Sequence, residues 1–310
     1  MFLGASAAVD CFSGQSITGV SNKPFVRVGS TALKLGDLEF HILSDGQLLL
    51  DGGAMFGVIP RPLWERKMRP DARNRITLGM NCLLIRAAGK RILVETGAGD
   101  KMNAKLRDIY GLDGPRLLGR LRDHGLEPGD IDIVIDTHLH FDHCGGNTRS
   151  EKDKIVATFP NAQYIVQRGE FDHAMAPTER DRASYLPENY APIHAAGGLS
   201  LLDADRSIVP GVEVLCVPGH TANMQCVKLT GGDKTAFFFA DLVPTTAHLP
   251  LPWIVGYDLY PVTTLENKKK WIPEVVREGW LALFVHDPSV PAAYLRDRNG
   301  QWEAEPVQLD

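Results

Sequence analysis

The stretch DIDIVIDTHLHFDHCGG, residues 130–146, constrains the fold more than any other part of the chain. Its first seven residues read as a buried strand. Directly after it, His138, His140, Asp142 and His143 crowd into six residues, and Gly145 and Gly146 close the turn. Side chains two apart on an extended segment share a face, so His138 and His140 point the same way. Asp142 and His143 fall on the next turn and point elsewhere. One loop at one strand end can thus feed two adjacent metal positions.

Three later positions repeat this placement. His220 follows the strand-like VEVLC (212–216), Asp241 ends the apolar run TAFFFA (235–240), and His286 ends LALFV (281–285). Each is a metal-ligand residue type where a buried strand gives way to a turn, and loops at sheet ends converge on shared clefts. Burying so many ionisable groups together is costly unless something pairs them, and a dication does so.

The remaining pattern predicts an α/β chain. Strands are expected at 38–43 and 47–50, separated by a turn at Ser44-Asp45-Gly46, and at 81–87, 91–95, 163–167 and 224–230. Helices are expected at 116–124, near 168–175 and at 264–278. Strand-rich stretches in two similar halves, separated by helices, suggest two sheets packed face to face with helices outside. Residues 1–30 are read as an N-terminal arm and 31–310 as a single domain. Within it, 52–76 is a Gly-, Pro- and Arg-rich loop excursion, read as a lid, a dimer contact or a packed surface loop.

Composition excludes several classes. With 33 basic and 38 acidic residues the formal charge is −5, so nothing argues for nucleic acid. Lys268-Lys269-Lys270 reads as a solvated helix face. No run approaches the roughly 18–20 apolar residues of a membrane span. The five cysteines are odd in number and lack CxxC spacing, which favours a reducing, cytoplasmic compartment. The N-terminus lacks a positively charged leader start.

HLHFDH followed by PGHT, ADL and HDP resembles the metallo-β-lactamase superfamily of hydrolases over about residues 35 to 290, with the motifs in the family's order. The resemblance implies an αββα sandwich of two mixed sheets and two divalent metal ions. By analogy His138, His140 and His220 hold one ion, Asp142, His143 and His286 hold the other, and Asp241 bridges them. Imidazole and carboxylate ligands suit zinc, with iron, manganese or cobalt as alternatives. Such a pair lowers the pKa of a bridging water and so implies hydrolysis, with Asp142 also a candidate proton relay and Asp241 the second catalytic carboxylate.

Within the family, Asp241 argues against true β-lactamases. His140 stands where the diiron oxygen reductases carry Glu, although an iron-dependent oxidoreductase and a non-catalytic metal-binding scaffold remain competing readings. The long N-terminal section and the 52–76 excursion resemble the acyl-homoserine-lactone lactonase and methyl-parathion-hydrolase-like branch. The expected substrate is a small lactone or carboxylic ester, with a phosphotriester as alternative, and the expected assembly a homodimer. Two departures stand out. Pro244 occupies the place of a tyrosine that contacts the lactone carbonyl in such lactonases, leaving Tyr257 or Tyr260 to substitute if the 244–261 loop folds back. Glu95-Thr96-Gly97 replaces the usual Asp-Thr-Gly, with Glu95 expected to support the site from behind. Met55, Phe56, Trp64, Trp253 and Tyr257 are candidates for an apolar pocket wall, the alternative being core or dimer packing. His248 is read as a structural histidine.

Overall fold

A computed structural model describes residues 32–308; the arm at 1–30 lies outside them. Two seven-stranded sheets form the body, and in each the order in space follows the order in the chain. The first contains Leu33–Leu35, Leu38–Asp51, Arg75–Ala87, Lys90–Val94, Ile133–Ile135, Gln163–Gln167 and Leu199–Leu202. Its first three pairings are antiparallel and the last three parallel. The second contains Arg206–Val209, Val212–Cys216, Gln225–Gly231, Lys234–Phe238, Leu281–Leu283, Ala292–Arg298 and Gln301–Pro306. There only Lys234–Phe238 against Leu281–Leu283 is parallel.

Alternation along strand Arg75–Ala87 shows how the layers are built. Leu83 and Ile85 pack into the core between the sheets with Val214, Val227, Leu229 and Leu283. Leu84 points the other way and packs with Leu93, Val134 and the helix residues Leu117 and Leu121. A strand covered on both faces has to be apolar on both, which is why it reads as a continuous hydrophobic run. On the far side, Phe237 stacks on Trp271 of helix Pro261–Arg277 at 5.0 Å. The expected αββα sandwich is the fold observed.

Several local expectations change. The turn at Ser44-Asp45-Gly46 is a bulge inside one 14-residue strand, where the register shifts between Ser44 and Gln47. Asp45 is swung out of the ladder, and its Oδ1 accepts the backbone N–H groups of Arg116 and Leu117, each at 2.8 Å. Turn-forming residues here serve a helix start instead of reversing the chain.

The 52–76 excursion is anchored by a few buried side chains, while about half of its residues are exposed. Asp51 caps a one-turn helix, Gly52–Phe56, and Met55, Phe56 and Trp64 are all buried against Leu48, Ile76 and Leu78. Only Val58 and Leu63 among its large apolar residues are exposed, at 89% and 49%. Lys268 does not belong to a solvated face: it is fully buried. No helix among the described residues is long and apolar enough to cross a membrane.

Candidate metal centre

The centre sits where strand ends of both sheets meet. Strand Ile133–Ile135 stops, and 137–144 turns across the sheet edge. The loop 96–98 presses onto this turn, with Thr96 N–H donating to His143 O at 2.7 Å. Gly145 and Gly146 permit that approach. A Cβ on Gly145 would lie 2.2 Å from Ala98 O, and one on Gly146 would lie 2.2 Å from Thr96 O. The glycines that close the motif are therefore required by packing.

All seven candidate side chains converge. Three groups have potential ligand atoms within 4.8 Å of one another: His138, His140 and His220; His138, His143 and Asp241; and Asp142, His143 and His286. The first and last are the triads named from the resemblance. Asp241 lies between them, with Oδ2 at 3.2 Å from His220 Nε2 and 3.6 Å from His143 Nε2. Its Oδ1 is 3.3 Å from His286 Nε2. Two ring-nitrogen pairs face each other closely, His140 Nδ1 to His220 Nε2 at 3.1 Å and His143 Nε2 to His286 Nε2 at 3.2 Å.

These atoms fit a metal and little else. His138 Nε2 and Asp241 Oδ1 are buried with no hydrogen-bond partner. Unpaired buried polar atoms are expensive, and facing ring nitrogens are compatible as lone pairs when a cation lies between them. Burial, together with the neighbouring histidines, pushes His138 and His140 well below the ordinary imidazole range. Burial opposes ionisation of Asp241, yet His143, His286 and His220 hold its carboxyl well below the usual range. Against the effect of burial, Glu95 and Asp241 hold His143 well above the ordinary imidazole range, and Asp241 likewise raises His220 and His286, so a divalent metal binding here would have to displace protons from these three rings.

A further layer fixes these rings. Asp258 Oδ1 lies 2.9 Å from His220 Nδ1, and its Oδ2 accepts the Thr264 hydroxyl at 2.5 Å. His286 Nδ1 is 2.8 Å from the carbonyl of Gly79, which only accepts. His286 Nδ1 and, beside a carboxylate, His220 Nδ1 thus carry the protons, leaving both Nε2 lone pairs for the site. Thr264 also explains Gly219 of the PGHT turn. Its φ is +149°, and a Cβ there would lie 2.4 Å from Thr264 Oγ1.

Glu95 does reach the site: its Oε2 is 3.3 Å from His143 Nδ1, close but poorly aligned for a hydrogen bond. Glu170 was not singled out from the sequence. Its Oε1 accepts from Leu139 N–H at 3.1 Å and Tyr185 O–H at 2.9 Å, and its Oε2 from Thr221 O–H at 2.6 Å. It ties together the backbone between His138 and His140, the Tyr185 ring 4.7 Å from His140, and the residue after His220. The available signal was its place just after strand Gln163–Gln167, the same strand-end rule that found the ligands. Asp258 was passed over between two more conspicuous tyrosines.

A cavity of about 60 Å³ opens onto the cluster, lined by His140, Asp142, His220, Asp241 and His286 on its floor. Its walls include Met55, Val255, Phe141, Tyr110 and Tyr257. Of the five wall candidates, Met55 and Tyr257 line it. Phe56, Trp64 and Trp253 form a packed layer elsewhere, with Phe56 stacked on Trp64 at 5.4 Å and edge-on to Trp253 at 5.6 Å. His248 is structural, its Nε2 2.9 Å from Met55 O. Cys144 is buried, with its thiol directed at Leu139 O. A larger surface groove of about 600 Å³ runs past Lys67, Thr246 and Trp302, and none of the seven candidates lines it.

The model of the metallo-beta-lactamase superfamily matches residues 77–286. The chain belongs to this superfamily. It is 31% identical over 227 residues to an N-acyl homoserine lactonase of Bacillus thuringiensis, an alignment covering 68% of this chain and 82% of the relative. It is also similar to the crystal structure of a probable metal-dependent hydrolase from Staphylococcus aureus, with TM-score 0.83, 31% identity, and coverage of 89% of this chain and 99% of that one. AidC, a dizinc quorum-quenching lactonase, shares the fold at TM-score 0.76 and 22% identity, with 90% of this chain and 98% of that one covered. The superfamily member described here is an enzyme of the metal-dependent hydrolase type, and its His/Asp cluster suits divalent metal.

Proposed function

We propose that the chain hydrolyses a small lactone, using two divalent ions, zinc first among them. The observation that carries this reading is the pair of triads on either side of Asp241, floored beneath a small, partly apolar cavity. The lactonase relatives supply the substrate class. His138, His140 and His220 would hold one ion and Asp142, His143 and His286 the other, with Asp241 shared. Bound there, the ions would supply a lowered pKa for water and polarisation of the ester carbonyl.

The chain's own groups do the rest. Met55, Val255 and Phe141 exclude water from the reacting ester and accept its apolar portion. Asp142 lines the cavity, so its carboxyl is placed to pass a proton to the departing alkoxide oxygen. Pro244 carries no hydroxyl, and its carbonyl instead accepts the His286 N–H at 2.9 Å. Tyr257 comes into the cavity from the returning loop. Burial, with help from Tyr110, Asp51 and Asp142, pushes its phenol up to about 12. It therefore stays protonated at neutral pH and offers an O–H to the substrate's carbonyl oxygen.

The test combines metal analysis of purified protein with kcat/KM on a medium-chain acyl lactone, an aryl ester and a methyl phosphotriester. Expected are close to two equivalents of divalent metal and a lactone preference of about tenfold or more, a margin of about 1.4 kcal/mol in the transition state. Equal, very weak turnover of all three would overturn the substrate reading, and a metal-free, fully active enzyme would overturn the mechanism.

A further inference from the structure

We propose that Lys268 is a positioning residue that sets the pocket's apolar wall, and with it acyl-chain preference; this rests on the lactone reading. Lys268 lies on helix Pro261–Arg277 and is completely buried. Its Nζ donates to three backbone carbonyls of one loop, His248 O at 2.6 Å, Pro250 O at 2.8 Å and Trp253 O at 2.9 Å, and shares one of its three hydrogens with Leu251 O at 3.3 Å. No carboxylate among the described residues lies within ion-pair distance of it.

A buried ammonium is costly, so the loop must need it. The segment His248-Leu249-Pro250-Leu251-Pro252-Trp253 contains two prolines, which lack N–H groups and prevent regular pairing. Its carbonyls still require donors. One ammonium meets three of them directly, with the fourth sharing a hydrogen, and gathers the loop around a point. Burial pushes its pKa down to about 7, with Asp258 opposing. The carbonyl dipoles act in the same direction as Asp258.

The gripped loop is connected to both sides of the cavity. At its start, the His248 ring stacks on Phe56 at 4.7 Å and meets the carbonyl of Met55, a wall residue. Just past its end come Val255 and Tyr257, also wall residues, with Gly256 N–H donating to Ala54 O at 2.7 Å. One turn before Lys268, Thr264 holds Asp258 against His220. A single helix face thus supports a candidate ligand through Thr264 and the substrate wall through Lys268. Lys268 touches neither substrate nor ligand, so its removal should act on binding of the apolar chain and spare the chemistry.

The experiment compares wild type with Lys268→Met, which keeps the apolar stem, and Lys268→Ala supplemented with n-propylammonium. Metal content, steady-state kinetics on butanoyl and decanoyl lactones, and amide hydrogen exchange over 247–256 are measured. Expected for Lys268→Met are unchanged metal content, kcat within about threefold, and KM for the decanoyl lactone raised about tenfold, with a much smaller rise for the butanoyl lactone. Exchange over 247–256 should accelerate selectively, and n-propylammonium should restore the decanoyl KM of Lys268→Ala. KM rising equally for both chain lengths, or kcat falling together with metal content, would overturn the inference and leave Lys268 merely structural. Should wild type hydrolyse no lactone, the substrate reading fails by itself. In that case selective loosening of 247–256 supports the pinning role, and unchanged exchange overturns it.

Discussion

The floor and the wall of the cavity are built on opposite principles. The floor is made of side chains at strand ends: seven candidate ligands, each aimed by a buried turn, with Asp258 and Gly79 O fixing individual rings. The wall is made of loops and a one-turn helix whose positions depend on backbone contacts with distant residues, Lys268 and His248 above all. A metal centre tolerates little displacement, since ligand distances vary by only about 0.2 Å. An apolar wall tolerates more, because dispersion and burial are not directional.

That contrast can be broken at graded strength. The largest effect is expected for His138→Ala combined with His220→Ala. Two ligands of one triad are removed, and hydrolysis should fall about 10⁴-fold or more with loss of at least one metal equivalent. Retained metal content and activity would show that the floor is not the metal centre. Next comes Asp258→Asn, which keeps the shape but removes the charge beside His220 Nδ1. Metal affinity should fall about 10–100-fold in a chelator competition, with the far-UV spectrum unchanged. If affinity holds, the bracing layer is scaffolding only. The smallest effect is assigned to the wall. Tyr257→Phe should cost about 3–10-fold in kcat/KM for lactone, the worth of roughly one hydrogen bond, while metal content stays at the wild-type level. A loss as large as that of the ligand variants would erase the distinction between floor and wall.

The legibility of the two regions in the sequence differs in the same way. HLHFDH, PGHT, ADL and HDP could be read directly, because metal ligation needs particular residue types and strand ends reveal where they point. The helix at 168–175 and the strands at 163–167 and 212–216 emerge with their expected bounds. The last two strands, Ala292–Arg298 and the edge strand Gln301–Pro306, did not register. Their burial alternates with several charged residues, and pairing with each other leaves little apolar signal. Asp45-Gly46 carried a turn signature that the fold spends on a bulge. The rings Phe56, Trp64 and Trp253 are aromatic enough for a pocket, but composition does not say which side of a wall a ring occupies.

By itself the sequence picked out the candidate ligands at the floor: which side chains, at which strand ends, in which order. Tertiary structure alone decided that Glu170 ties the two histidine loops together, that Asp258 rather than its neighbouring tyrosines faces His220, and that Lys268 leaves its charged run to enter the core. The physical reason is that a ligand's role is written in its own side chain. A supporting role belongs to a contact, often with a backbone carbonyl that every residue possesses, and only folding selects which carbonyl that will be.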